Sequence, residues 1–185
     1  MRTFIAIPIP EPCKEVLAQM QRHLKVSDAE VRWTTIASIH LTLKFLGEVD
    51  PAVIPTMAGA LGVISKKARP LELRLAGFGC FPNEKNPRVV WCGIQGDIDV
   101  LSHLQVGVET VCADFGFGPE NRPFRPHLTL GRIKGRKNLR LLSESIAKGS
   151  DLECGFRADS FNIYKSVLKP DGAVYTVLEK IALQQ

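Results

Sequence analysis

Segments typical of β-strands and of amphipathic helices alternate along the whole length of this 185-residue chain. Apolar side chains at helical spacing predict helices at residues 11–25, from Asp50 to Ile64, at 100–111 and, with a weaker pattern, at 138–147. Short apolar or alternating segments predict strands at residues 3–7, 31–33, 39–46, 71–75, 88–94, 127–133, 152–163 and 173–181. The order βαββαββαβ(α)ββ, with many strands adjacent in sequence, predicts an α+β fold with antiparallel sheets.

Turn-forming residues separate these segments. Residues 77–87 hold two glycines, two prolines and two asparagines, which indicates a loop. Gly116 and Gly118 end the third helix, and the Pro-Asp-Gly sequence at 170–172 indicates the turn of a C-terminal hairpin. Because no linker or low-complexity tract interrupts the chain, we expect residues 1–185 to form a single domain.

Composition and charge narrow the class of protein. Apolar residues make up 45% and charged residues 23%, which is ordinary for a globular protein. No apolar run approaches the roughly 20 residues needed to cross a bilayer, and the first apolar stretch is too short for a signal peptide. The net charge of +5 weakly favours polyanionic partners.

The cysteines suggest a reducing environment. Their number is odd, their spacings are wide and no C-x-x-C pair occurs, so neither a zinc site nor a redox motif is indicated. We therefore expect free, mostly buried thiols and a cytoplasmic protein. The five residues are Cys13, Cys80, Cys92, Cys112 and Cys154.

The tetrapeptide His-Leu-Thr-Leu occurs twice, at residues 40–43 and 127–130. Side chains two residues apart in a strand share a face, so each copy presents a histidine and a threonine together and turns its leucines towards the core. A lone histidine on a strand is more often a surface residue or a core residue with a satisfied hydrogen bond. Two identical copies in matched strands favour a paired site instead.

Two imidazoles across a cleft suit acid–base catalysis. One removes a proton from the attacking oxygen and the other protonates the leaving oxygen, and a reference pKa of about 6.5 allows both forms near neutral pH. A nearby threonine hydroxyl can donate to a phosphoryl oxygen and stabilise its charge. Because the two motifs are nearly identical, the residues alone do not decide which histidine is the acid.

The two motifs and their flanking residues resemble those of a known family. Paired H-x-T-x motifs are the signature of the two-histidine phosphoesterases, and the flanking residues resemble the bacterial and archaeal RNA 2′,3′-cyclic phosphodiesterases, also called 2′-5′ RNA ligases. The resemblance extends nearly end to end through residues 2–7, 31–33, 40–49 and 124–132, and through Ser166, Gly172 and Tyr175.

This resemblance implies two pseudo-symmetric antiparallel-sheet lobes with helices on their outer faces and a central cleft, one lobe holding both chain ends. It implies hydrolysis of an RNA 2′,3′-cyclic phosphate to a 2′-phosphomonoester without a cofactor. His40 is then the proton donor and His127 the proton acceptor, with Thr42 and Thr129 binding the phosphate.

Four cations near the motifs could bind phosphate, although for most basic residues a solvated surface position is the more common role: Lys44, Arg125, Arg132 and Lys165. Arg125 lies two residues before His127, so in an extended strand its side chain points to the cleft on the same face as His127. Arg132 has the opposite parity and faces the cleft only if Gly131 forms a bulge. The family pattern often carries a basic residue there, so Arg125 and Arg132 are both taken as RNA-binding.

Three aromatic residues could stack on a base: Phe4, Trp33 and Phe45. Phe45 has the parity of the motif leucines, which places it in the core instead. The two remaining histidines, His23 and His103, are expected on helix surfaces. No spacing supplies a third metal ligand, so the site is expected to contain no metal.

Three alternatives remain open. The same site could run in reverse as a 2′-5′ RNA ligase, or act on small cyclic nucleotides or ADP-ribose cyclic phosphate. The chain could instead be a non-catalytic RNA- or nucleotide-binding module, although both histidines and both threonines are intact. The expected partner is an RNA with a 2′,3′-cyclic phosphate end. We expect the protein to be a monomer and not to bind membranes.

Overall fold

The computed structural model describes residues 1–83, 85–169 and 172–184. In this part of the chain the elements are β1 (Arg2–Pro8), α1 (Glu11–Lys25), β2 (Val31–Trp33), β3 (His40–Glu48), α2 (Ile54–Ser65), β4 (Leu71–Phe81), β5 (Val89–Gly96), α3 (Ile98–Asp114), β6 (His127–Ile133), α4 (Leu139–Lys148), β7 (Cys154–Ala158), β8 (Ser160–Lys169) and β9 (Gly172–Ala182). Pro170 and Asp171 of the predicted turn at 170–172 lie outside the described residues.

The strands form two antiparallel sheets, which confirms the α+β prediction. The terminal sheet has the order β3-β1-β8-β9 and contains the strands nearest both chain ends, and α2 and α3 pack on it. The central sheet has the order β2-β6-β5-β4-β7, and α1 and α4 pack on it. Each sheet with its two helices makes one lobe, so the bilobal arrangement with outer helices is also confirmed.

Amphipathic spacing builds the core between helices and sheets. In α1 the residues Cys13, Leu17, Met20 and Leu24 recur at helical spacing, and all four are fully buried. Polar and charged residues cover the other face of this helix. Replacing Leu17 by alanine would leave a cavity and cost about 2–5 kcal/mol of folding free energy.

The loop prediction for 77–87 is wrong in its first half. Strand β4 continues to Phe81 and pairs with β5 up to that residue. The glycines that suggested a loop have other functions. Gly77, with a φ of +64°, lies at the register shift of β4, and a Cβ atom on Gly79 would overlap the Trp91 ring.

The predicted strand 152–163 is two strands in different sheets. Strand β7 pairs with β4 at the edge of the central sheet, whereas β8 pairs with β1 in the terminal sheet. The chain passes from one lobe to the other at Asp159, whose carbonyl oxygen accepts a hydrogen bond from the amide of Leu183 at 2.8 Å. A continuous run of strand-forming residues concealed this change of sheet.

The expectation of free thiols is wrong for two of the five cysteines. Cys13 on α1 and Cys154 on β7 form a disulfide across 141 residues of sequence. Cys92 and Cys112 are buried thiols, as expected. Burial raises the pKa of Cys92 to about 12 and that of Cys112 to about 11, so both stay protonated and unreactive.

Within residues 1–83, 85–169 and 172–184 no helix is both long and apolar enough to span a membrane. In the same part of the chain no three side chains of histidine, cysteine, aspartate or glutamate converge as metal ligands would.

Candidate active site

The two motif strands, β3 and β6, lie against each other where the sheets meet. Their side chains alternate as the sequence predicts. His40 and Thr42 are partly exposed while the leucines of the first motif are buried, and the second motif repeats this pattern with His127 and Thr129. In both strands the histidine and the threonine therefore share the face that looks away from the helices.

Immediately after the first motif the alternation shifts by one residue. Ile5 pairs with Lys44 while Ala6 pairs with Thr42, so β3 contains an extra residue relative to β1. Lys44 is consequently buried at 3% exposure, and Phe45 is 58% exposed on the cleft face. The sequence-based placement of Phe45 in the core is therefore wrong.

The second motif strand has the same irregularity. Val90 pairs with Gly131 while Trp91 pairs with Thr129, so β6 also gains a residue. This bulge places Arg132 on the same face as His127, as the sequence analysis required for a cleft position. The side chain of Arg132 is exposed. A Cβ atom on Gly131 would lie 2.6 Å from Cγ1 of Val31, so glycine is required at this close approach.

Two buried glutamines hold these bulges, and the sequence analysis missed both. Gln21 of α1 donates through Nε2 to the carbonyl oxygens of Leu130 at 2.9 Å and Thr34 at 2.7 Å. Gln105 of α3 donates to the carbonyl oxygen of Leu43 at 3.4 Å. Leu43 and Leu130 are the last residues of the two motifs. In each lobe a glutamine on the adjacent helix therefore stabilises the end of the motif by a hydrogen bond to its backbone.

Aromatic rings enclose His40. Its imidazole stacks on Phe4 with ring centroids 4.5 Å apart and meets the edge of Tyr175 at 5.1 Å. Burial lowers the pKa of His40 to about 4, and a hydrogen bond with the backbone of Ser38 opposes this only in part. In the free protein this imidazole is neutral at neutral pH.

The surroundings of His127 are similar but more open. Its ring meets Phe81 edge-on at 4.9 Å, and Nδ1 lies 2.7 Å from the carbonyl oxygen of Arg125. Burial lowers the pKa of His127, the Arg125 carbonyl raises it, and the nearby positive charge of Arg132 lowers it further. Each histidine thus makes a hydrogen bond to the backbone of the residue two positions earlier.

One residue connects the two half-sites. The positive charge of Arg132, which acts on the pKa of His127, also acts on that of Tyr175, where burial has the larger and opposite effect. Tyr175 in turn contacts the His40 ring. Because β3 and β6 are also in contact, His40 and His127 border the same groove between the lobes.

The hydroxyl groups of Thr42 and Thr129 have no hydrogen-bond partner among the described residues, so both are free to bind a ligand. Arg125 is exposed, and its carbonyl rather than its guanidinium contacts His127. Lys165 is partly exposed and lies on β8 opposite Thr3.

Three of the predicted ligand contacts are not available. Lys44 makes a 2.7 Å ion pair with Glu109, so it ties β3 to α3 instead of binding phosphate. Phe4 is buried beneath His40. Trp33 faces α1, where Nζ of Lys25 lies 5.6 Å from its ring centroid.

Comparison with known proteins agrees with this two-fold arrangement. The profile of the LigT like phosphoesterase family matches residues 7–91 and again residues 94–175, and each match contains one His-Leu-Thr-Leu motif. The chain belongs to the LigT like phosphoesterase family. The two matches are two sequence repeats, each of which contributes one histidine to the groove, although both sheets contain strands from both repeats.

Relatives of this phosphoesterase cover nearly its whole length. It is 33% identical over 184 residues to a protein of Methanothermobacter thermautotrophicus named RNA 2′,3′-cyclic phosphodiesterase, covering 99% of both chains. The protein of the same name from Methanocaldococcus jannaschii is 33% identical, covering 97% of this chain and 99% of the relative.

Solved structures show the same fold. A Thermus thermophilus protein superposes with a TM-score of 0.82 at 28% identity, covering 100% of this chain and 98% of the other. Escherichia coli LigT in complex with 3′-AMP gives a TM-score of 0.72 at 26% identity, with the same coverage.

Proposed function

We propose that this phosphoesterase hydrolyses the 2′,3′-cyclic phosphate at the end of an RNA to a 2′-phosphomonoester, with His40 as proton donor and His127 as proton acceptor. The observation that carries the proposal is the pair of matched histidine–threonine faces bordering one groove. The names of the full-length relatives support the choice of substrate.

The environment of His127 suits a general base. When Nδ1–H donates to the Arg125 carbonyl oxygen, Nε2 keeps a lone pair for the proton of the attacking water. The lowered pKa keeps the imidazole neutral at neutral pH, which is the form a base requires. The same hydrogen bond fixes the ring plane, so no reorientation is needed during the reaction.

His40 must be protonated to act as the acid. In the free protein its pKa is about 4 because it is buried. A phosphate monoanion bound against the ring in this poorly solvated site stabilises the imidazolium and raises the pKa. The substrate then brings about the protonated state, and the Phe4 stack holds the ring against the leaving 3′ oxygen.

The phosphate is bound from both sides. The hydroxyls of Thr42 and Thr129 donate to its two non-bridging oxygens, and the positive charge of Arg132, which acts on His127 from further along β6, stabilises at longer range the negative charge that develops on them. Arg125 contributes positive charge at the groove entrance. No metal takes part, and residues 1–185 act as one bilobal domain because the groove needs a strand from each lobe. The enzyme is proposed to be a cytoplasmic monomer.

End-group analysis tests this function. An RNA oligonucleotide with a 2′,3′-cyclic phosphate end is incubated with the enzyme in excess EDTA, and the product is compared with authentic 2′- and 3′-phosphate standards. We expect the 2′-phosphomonoester alone. A 3′-phosphomonoester, or activity that EDTA abolishes and one metal restores, contradicts the proposal. Adding an RNA with a 5′-hydroxyl shows whether ligation competes, and binding without turnover identifies a non-catalytic module.

A further inference from the structure

The edge strand β2 places a second arginine beside Arg132. Arg32 and Arg132 are direct partners in the antiparallel register of β2 and β6. Side chains of such partners stand on the same face of a sheet, with Cβ atoms about 4.5–5.5 Å apart. The next residue of β2, Trp33, faces α1, where Lys25 lies over its ring. Arg32 therefore faces the groove, as Arg132 does.

This arginine pair differs from the other charged cross-strand pair at the opposite edge of the same sheet. There Glu72 and Arg157 are register partners and form an ion pair at 3.2 Å. Among the residues that the structure describes, neither Arg32 nor Arg132 pairs with a carboxylate or donates a hydrogen bond. Like charges directly opposite each other destabilise a sheet, so an anion bound between the two guanidinium groups would relieve their repulsion.

The pair lies towards one end of the groove, away from the two histidines. Arg132 follows His127 by five residues, roughly 16 Å along an extended strand, and only its long side chain reaches back towards the histidine. Arg32 lies one further strand away, about 4.8 Å to the side. Its position suits the next phosphate of a chain rather than the phosphate between the histidines.

Positive charge continues past the end of β6. A cavity of about 580 Å³ there is lined by Lys85, Lys134 and Arg136, and none of its described lining residues is acidic. The carboxylate of Glu30 lies against Gly135 at this edge, but the cavity lining itself carries only positive charge, which attracts a phosphate backbone.

We propose that Arg32 and Arg132 together bind the phosphate on the 5′ side of the terminal nucleoside of an RNA. This inference rests on the proposed function, because it places the cyclic phosphate between the histidines. Two guanidinium groups can hold one phosphodiester through paired hydrogen bonds, which a single lysine cannot do. The subsite makes oligonucleotides, rather than single cyclic nucleotides, the substrate class that the enzyme binds best.

Calorimetry with two unreactive probes tests the subsite. The probes are a nucleoside 2′-phosphate and an RNA tetranucleotide ending in the same nucleoside 2′-phosphate. For Arg32→Ala we expect the loss of affinity to be at least about tenfold larger for the tetranucleotide, because a hydrogen bond to a charged group is lost. The slope of log Kd against log salt should fall by about 0.7 for the tetranucleotide. Arg157→Ala, an exposed arginine of the same sheet, should match the wild type.

A charge reversal separates binding from folding. Arg32→Glu creates an ion pair with Arg132, so the melting temperature of the free protein should rise while tetranucleotide affinity falls. A purely structural arginine would move both quantities in the same direction. Equal losses for the two probes, or no loss for the tetranucleotide, overturn the subsite. Since binding needs no turnover, Arg32-dependent binding by a protein that hydrolyses no cyclic phosphate supports the subsite and rejects the proposed function.

Discussion

The two halves of the groove share a backbone but differ in the side chains that the backbone presents. In both, a His-Leu-Thr-Leu motif ends in a bulge, and a buried glutamine from a helix binds the carbonyl oxygen of the last leucine. The bulge then directs Phe45 to the cleft in the terminal lobe and Arg132 in the central lobe. The same type of bulge therefore places an apolar ring on one side of the groove and a positive charge on the other.

This difference explains how nearly identical motifs can have different roles. The half containing His40 is aromatic and poorly solvated, with Phe4 and Tyr175 against the imidazole. The half containing His127 has a guanidinium nearby and an exposed loop before it. Under the proposed function, a substrate with a base at one end and phosphates along its backbone is expected to bind these two surfaces in one orientation, which would distinguish the acid from the base.

The largest expected effect comes from the histidines themselves. His40→Ala and His127→Ala should each lower the turnover rate by about 10²- to 10⁴-fold, because each removes a positioned proton-transfer group. The double variant should lose less than the product of the two effects, since the pair acts as a unit. Turnover and melting temperature are measured on the same preparations, and near-normal turnover in a folded single variant contradicts the account.

The second test compares the two residues that the bulges direct to the cleft, Arg132 and Phe45. Arg132→Ala should lower kcat/KM by about 10- to 100-fold, because a hydrogen bond to a charged phosphate is lost. Phe45→Ala should mainly raise KM, roughly fivefold, the lower end of the range for base–aromatic stacking. Measuring kcat and KM separately on one cyclic substrate decides this. A larger effect for Phe45 would reverse the assignment of the charged and apolar halves.

Burial of His40 makes the stability of the fold depend on pH. With a folded pKa of about 4 and a reference value of about 6.5, the unfolded chain binds a proton between these pH values that the folded protein does not. Stability should therefore fall by about 2 kcal/mol as the pH drops from about 7 to about 4.5. His40→Gln should remove most of this loss in urea titrations at the two pH values. An unchanged pH dependence in that variant argues against a buried neutral imidazole.

The smallest effect distinguishes the two glutamines. Gln21→Leu leaves the Thr34 carbonyl oxygen without its partner, while Leu130 keeps its bond from the Thr34 amide, and should cost about 1–3 kcal/mol of stability. Gln105→Leu should cost less, because its bond to Leu43 is 3.4 Å long compared with 2.7 and 2.9 Å for those of Gln21. Urea unfolding gives the stabilities. Equal costs would contradict the prediction that Gln21 stabilises its bulge more strongly than Gln105 does.

The sequence predicted what depends on local pattern. The helix at 11–25 and the strands at 31–33 and 127–133 have the predicted bounds, because apolar spacing specifies them directly. The cleft position of Thr42 and Thr129 also follows from alternation within a single strand.

What the sequence could not predict depends on register and on distant contacts. Phe45 was misplaced because the bulge after the first motif is visible only in the pairing of β3 with β1. Gly131, which signals the second bulge, has Lys44 as its counterpart in the first, and nothing local marks that lysine as buried. The Cys13–Cys154 disulfide spans 141 residues, and its pairing cannot be deduced from spacing.

The central claim is that the two histidines perform different proton transfers, and a change of leaving group tests it most directly. A phosphodiester with a 4-nitrophenolate leaving group needs no protonation of that group. His40→Ala should therefore retain most of the wild-type rate on this diester while losing at least about 10²-fold on the cyclic phosphate. His127→Ala should lose comparably on both substrates, because water still needs a base. Equal losses for His40→Ala on the two substrates, or the reverse pattern in the two variants, would contradict the assignment.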